Sequence, residues 1–198
     1  MTLNQHTAHT LFTGTLILIT SLSFTACLTV ESKEYRIRLT SECSGTATIK
    51  FINIVSETDD PTDISADDFK QLIEFYVEGS QLEKENPGFR NVRKSLYEQD
   101  GVLVGEISFS FDSLSTVRVF RFDKESPFMY FVGSPISSEQ LVETNGTVGA
   151  DWMPVIFWAG DTQELYIKTR VVSESAFRRS LVEHFTNWQA EPQGEKKQ

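Results

Sequence analysis

Cysteine and histidine are scarce: Cys27 and Cys43 are the only cysteines and there are three histidines in 198 residues. Such a chain cannot hold a multi-disulfide framework, nor the paired Cys/His spacing of structural zinc sites. It also lacks a glycine-rich phosphate loop, a GxSxG elbow and a dinucleotide fingerprint, so no catalytic residue, cofactor or metal is expected. Basic residues are in deficit, 18 Lys and Arg against 28 Asp and Glu, for a formal net charge of −10. Nucleic acid rewards clustered Lys and Arg, so it is excluded as a partner. The same deficit argues against unaided adhesion to anionic lipid. No apolar run reaches the ~20 residues that a membrane-spanning helix needs.

What the chain does have is an uncharged start. Residues 1–26 hold no charged side chain, and Leu11 to Ile19 form an apolar run of the length found in secretory signals, about 7–15 residues. The run ends at Phe24-Thr25-Ala26-Cys27, which resembles the lipobox of bacterial lipoproteins. The resemblance implies a signal peptide over 1–26, acylation of Cys27, and a lipid-anchored place in the bacterial cell envelope. Leu28 in place of Asp after the cysteine implies the outer membrane in a Gram-negative cell. Two other readings stay open: an unlipidated secreted protein, and a Cys27–Cys43 disulfide, which would preclude acylation.

Beyond Cys27, residues 27–34 read as a lipidated tether, 35–189 as a single domain and 190–198 as a polar, disordered tail. Tyr35, Ile37 and Leu39 alternate with polar residues, Ser41–Gly45 has turn chemistry, and alternation resumes from Thr46 to Ile54: a β-hairpin. Arg90–Gln99 and Val102–Phe111 flank Asp100-Gly101, the signature of a second hairpin. Short strands are expected around Arg118–Phe122, Pro127–Val132, Leu141–Thr144, Pro154–Trp158 and Glu164–Val172. Two amphipathic helices are expected. One is capped by Ser65 and carries Phe69, Leu72, Ile73, Tyr76 and Val77. The other is capped by Ser173 or Ser175 and carries Phe177, Leu181, Phe185 and Trp188. Hairpins interrupted by helices predict an α+β fold, with one antiparallel sheet of about six to eight strands and two amphipathic helices over one face.

A hairpin close behind the acylated cysteine, its turn ending Ser44-Gly45-Thr46, and a Thr144-Asn145-Gly146 turn ahead of a tryptophan-bearing strand are similar to bacterial surface lipoproteins of the LppM-like α+β kind. The resemblance implies the same fold class and an envelope role, and transfers no catalytic residue.

Three groups of residues merit weighing. Cys43 and His184 would make a thiol–imidazole pair only if folding joined them, and Glu42 beside Cys43 disfavours a thiolate. Asp59, Asp60, Asp63, Asp67 and Asp68 lack calcium-loop spacing and read as a solvated loop and helix start. The aromatic stretches Phe120–Phe131 and Trp152–Trp158 read first as sheet core. The alternative is a ligand groove formed by Arg118, Phe120, Arg121, Phe122, Phe128, Tyr130 and Trp158, suited to a lipid with an anionic head or to a hydrophobic peptide. The sequence therefore predicts a non-enzymatic envelope lipoprotein that binds a lipid or a partner protein. A structural part in an envelope assembly is the alternative, and a hydrolase comes third.

Overall fold

The computed structural model describes residues 28–132, 139–150, 153–173 and 175–190. Residues 1–26, expected to form a signal peptide, lie outside the described residues, as do Cys27, Trp152 and residues 191–198 of the expected tail.

The fold is α+β and mostly antiparallel sheet. Strand β1 (Leu28–Leu39) and β2 (Gly45–Thr58) form the first expected hairpin. Strands β3 (Arg90–Gln99) and β4 (Val102–Phe111) form the second. Their Asp100-Gly101 turn has φ of 53° and 79°, the two positive values a tight hairpin turn requires. β5 (Val119–Phe120), β6 (Phe128–Phe131), β7 (Glu139–Thr144), β8 (Thr147–Val148), β9 (Val155–Trp158) and β10 (Glu164–Val171) follow. The strands make two sheets, not the single sheet expected. The large one has seven strands, ordered β3-β4-β2-β1-β10-β7, with β11 (Phe177–Ser180) also on β2; the small one runs β5-β6-β9-β8.

Between β2 and β3 lies α1 (Ser65–Gln71), which continues as a π-helical turn over Leu72–Val77, and then α2 (Gln81–Glu85). The chain closes with α3 (Val182–Ala190). None of the helices among the described residues is long and apolar enough to cross a membrane.

Three local expectations change. Residues 28–34 are not a tether but the first part of β1, paired with Lys50–Ser56 of β2. The alternation is hard to see there because an inward position is taken by Lys33, whose partner Glu139 is remote in sequence. Phe177 is not helical. It opens β11, which satisfies the backbone groups that β2 exposes after β4 leaves it at Ile52. Ser65 does not cap α1 through its side chain; Asp63 Oδ1 accepts from both the Ser65 amide (3.0 Å) and its hydroxyl (2.7 Å). Asp68 turns inward and accepts from the buried Ser56 hydroxyl at 2.6 Å.

The apolar side chains sort into two cores on the inner face of the large sheet. In the first, Ile37, Ala47, Phe109, Phe111, Leu165 and Ile167 pack against Val119, Phe128, Ile156 and Trp158 of the small sheet. In the second, Ile54 and Leu103 pack with Phe69, Leu72 and Ile73 and with Leu181 and Phe185. The kink that separates them is in β2. Asn53 has φ of 56°, and the residues facing inward pass from Ala47, Ile49 and Phe51 to Ile54 and Ser56. Since side chains alternate along a strand, one such break moves every later residue to the other face.

Candidate functional site

A cavity of ≈ 490 Å³ lies on the inner face of the large sheet between the two cores. That is within the ~300–1,000 Å³ of small-molecule sites. Its floor is apolar: Ile37 of β1, Ile49 and Phe51 of β2, Ile107 and Phe109 of β4. Ala47 and Gly105 are the small residues of its lining, and the Ile54 side chain packs over Gly105. Its far wall is Leu72 and Tyr76 of the helical segment and Leu82 of α2.

The end nearest the β7 edge is polar. Lys33 and Tyr35 from β1 reach Glu139 on β7, although more than a hundred residues separate them in sequence. Lys33 Nζ is 2.5 Å from Glu139 Oε1, and the Thr169 hydroxyl of β10 donates to Oε2 at 2.9 Å. The Tyr35 hydroxyl donates to the same oxygen at 3.4 Å, long for a hydroxyl bond. Burial pushes the Glu139 carboxyl upward. The Lys33 ammonium, the Thr169 hydroxyl and the Arg118 charge outweigh it and hold the group below the usual carboxylate range. The Tyr35 phenol is pushed well above its ordinary value, first by burial and then by the Glu139 charge. Tyr130, on β6, is raised by burial, against the pull of the nearby Arg118 charge. Both phenols therefore stay protonated at neutral pH and keep a proton to donate.

The opposite end lies under α2, at the β3 edge. There Lys94 Nζ is bound by the Gly79 carbonyl at 2.6 Å and by Glu83 at 2.9 Å. Glu85 accepts from Gln81 at 2.9 Å and from Tyr76 at 3.3 Å.

The seven residues of the groove read from sequence do not form one groove. Arg118 and Tyr130 line the large cavity. Phe128 and Trp158 are buried in the first core, and the Trp158 indole donates to Asn145 Oδ1 at 2.7 Å. Phe120 and Phe122 face solvent, 55% and 87% exposed. Arg121 stacks on Phe128 at 4.5 Å and donates to the carbonyls of Ser126 (3.0 Å), Gly160 (3.3 Å) and Lys124, so it ties the 121–128 loop down. It borders a second hollow of ≈ 310 Å³ with Leu39 and Glu42. Lys33, Tyr35 and Glu139 escaped the sequence reading. The one signal was a lysine at an inward position of an alternating strand.

Other chemistry can be placed as well. Cys43 is exposed in the β1–β2 turn, while His184 lies at the other end of that hairpin, stacked on Phe69 (5.9 Å) and 3.0 Å from the Ser65 hydroxyl. They form no pair. Asp63, Ser65 and His184 do meet, but not as a triad, in which the acid must hold the imidazole. Here Asp63 is bonded to the serine itself, and Ser65 is buried away from the cavity. Among the described residues, no group of three or more His, Cys, Asp or Glu is placed to hold a metal ion.

No protein family, curated protein or solved structure matches this chain.

Proposed function

We propose that this protein is a membrane-anchored bacterial envelope lipoprotein whose α+β domain binds a lipid-like molecule without chemically changing it. The observation that carries this reading is the ≈ 490 Å³ largely apolar cavity between the two cores, with polar groups at its ends. Each methylene transferred from water to such a lining contributes about 0.8 kcal/mol, so a single alkyl chain would bind usefully. In this reading α1 with its π-helical turn, and α3, are the two amphipathic covers of the sheet. Part of the face is left to the ligand.

The anchor rests on Leu11–Cys27. Acyl chains on Cys27 would be followed at once by β1, since Leu28 is already paired with Ser56. The domain would then sit against the bilayer rather than swing on a tether, and Leu28 and Val30, which line the cavity, would be near the lipid. Outer-membrane residence is proposed for a Gram-negative cell. Mass spectrometry of membrane-extracted protein should find an acylated Cys27 as the amino terminus; an intact residue 1–26 segment would contradict it. Titration with a polarity-sensitive fluorescent fatty acid should be saturable and should weaken at least tenfold in Ile49→Phe, which fills the cavity. No saturation would overturn the binding role.

A second reading, a structural part in an envelope assembly with a protein partner, is favoured by one observation. Phe120 and Phe131 are each 55% exposed on the outer face of the small sheet. Chemical cross-linking in whole cells that is lost in Phe120→Ser/Phe131→Ser would support it.

A further inference from the structure

Beyond its volume, the cavity has a charge direction. The large sheet runs from the β7 edge to the β3 edge, and the cavity spans it. At the β7 edge the lining holds two cations, Lys33 and Arg118, and one carboxylate, Glu139. At the β3 edge Lys94 is already neutralised by Glu83, and Glu85 adds a further negative charge. The remaining lining carboxylate, Glu106, is paired with Lys50 at 3.4 Å. One end is therefore net positive and the other net negative. The positive end also has the donors. Arg118 has five N–H groups in a fork that matches a carboxylate or phosphate, and it lines the cavity together with Tyr130. Tyr35 holds Glu139 only loosely, at 3.4 Å.

We propose that the occupant is a single-chain anionic amphiphile, with its carboxylate or phosphate head held by Arg118, Lys33 and the Tyr35 and Tyr130 hydroxyls, and its tail running along Ile49 and Phe51 towards Leu72 and Leu82. This rests on the binding role proposed above and adds the head-group class, the head-group residues and the orientation. Arg118 is the main determinant. Lys33 is shared with Glu139, whereas Arg118 reaches the cavity from an exposed position at the end of the 3₁₀ turn Leu114–Val117. Its backbone is left-handed, φ 55°, which fixes where the side chain leaves the turn.

The test compares three probes of one chain length on the purified full chain, a fatty acid, its alcohol and its amine, by isothermal titration calorimetry. An alkyl phosphate of the same chain extends the series to the other head group. A charge-assisted bond to the head group predicts that the acid binds about tenfold or more tighter than the alcohol, and the amine weakest. Arg118→Gln should remove most of that preference while leaving alcohol affinity within about twofold, and Arg118→Glu should shift the preference towards the amine. The position is exposed, so neither variant should prevent folding, and a melting curve checks it. Equal affinity for acid and alcohol, or a preference that survives Arg118→Gln, would overturn the head-group assignment while leaving a lipid-binding cavity. Failure of all probes to bind would overturn both.

Discussion

The two halves of the large sheet's inner face start from the same material and end differently. Over one half, the small sheet brings Val119, Phe128, Ile156 and Trp158 down to contact, and the first core closes with its members almost free of solvent. Over the other half, the helical segment meets the sheet along Phe69, Leu72 and Ile73, with Leu181 and Phe185 packed beside them. Between the two cores lies a hollow, with an ion pair and two phenols in its lining. Sheet on sheet gives many matched positions, so side chains interdigitate to crystal-like density. Two short helical pieces on a kinked strand cannot cover the same area. Both cores are well buried, and the open space lies between them, over a floor that belongs largely to the first core.

The most disruptive way to probe that contrast is Trp158→Ala. It should cost about 3–5 kcal/mol, read from denaturant midpoints, because it empties a filled position that also ties the small sheet to Asn145. Next comes the same enlargement made on both sides. Val119→Phe in the tight core should cost about 1–3 kcal/mol. Ile49→Phe has the cavity to grow into, so its cost should stay below about 1 kcal/mol while probe binding is lost. Comparable stability losses in the two variants would mean that the hollow closes in solution.

Acid should weaken the site end selectively. The Glu139 carboxyl is held lower in the folded chain than in the unfolded one. Its contribution is therefore present above the unfolded carboxylate range and is lost as pH falls through the lower folded value. Stability should drop on acidification below about pH 4, and Glu139→Gln should flatten that slope. An unchanged slope in the variant would assign the acid loss to other carboxylates. The smallest effect is expected from Phe122→Ser, within about 0.5 kcal/mol of wild type, since Phe122 is 87% exposed and supports neither core.

Several strands were readable from the chain, but the division into two sheets and two cores was not. Alternation and the Asp-Gly turn located β3 and β4 residue for residue, because both signals are local. Phe177, Leu181, Phe185 and Trp188 mimic a helical stripe. The first of them is claimed by β2, more than a hundred residues away, which no local period can announce. Lys33 and Glu139 were invisible for the same reason, since each looks like an ordinary surface charge until β1, β10 and β7 lie side by side. The cavity lies beside the kink at Asn53, between elements remote in sequence. Aromatic runs drew attention to the residues that fill space, Phe128 and Trp158, whereas the cavity lies where space is left.

The hollow between the two cores should behave as a ligand site. Its most direct test is titration of the full chain with a fluorescent fatty acid in wild type, Ile49→Phe and Val119→Phe. Saturable binding in wild type, lost in Ile49→Phe and kept in folded Val119→Phe, is the predicted result. Binding that is absent from wild type, or indifferent to Ile49→Phe, would contradict it.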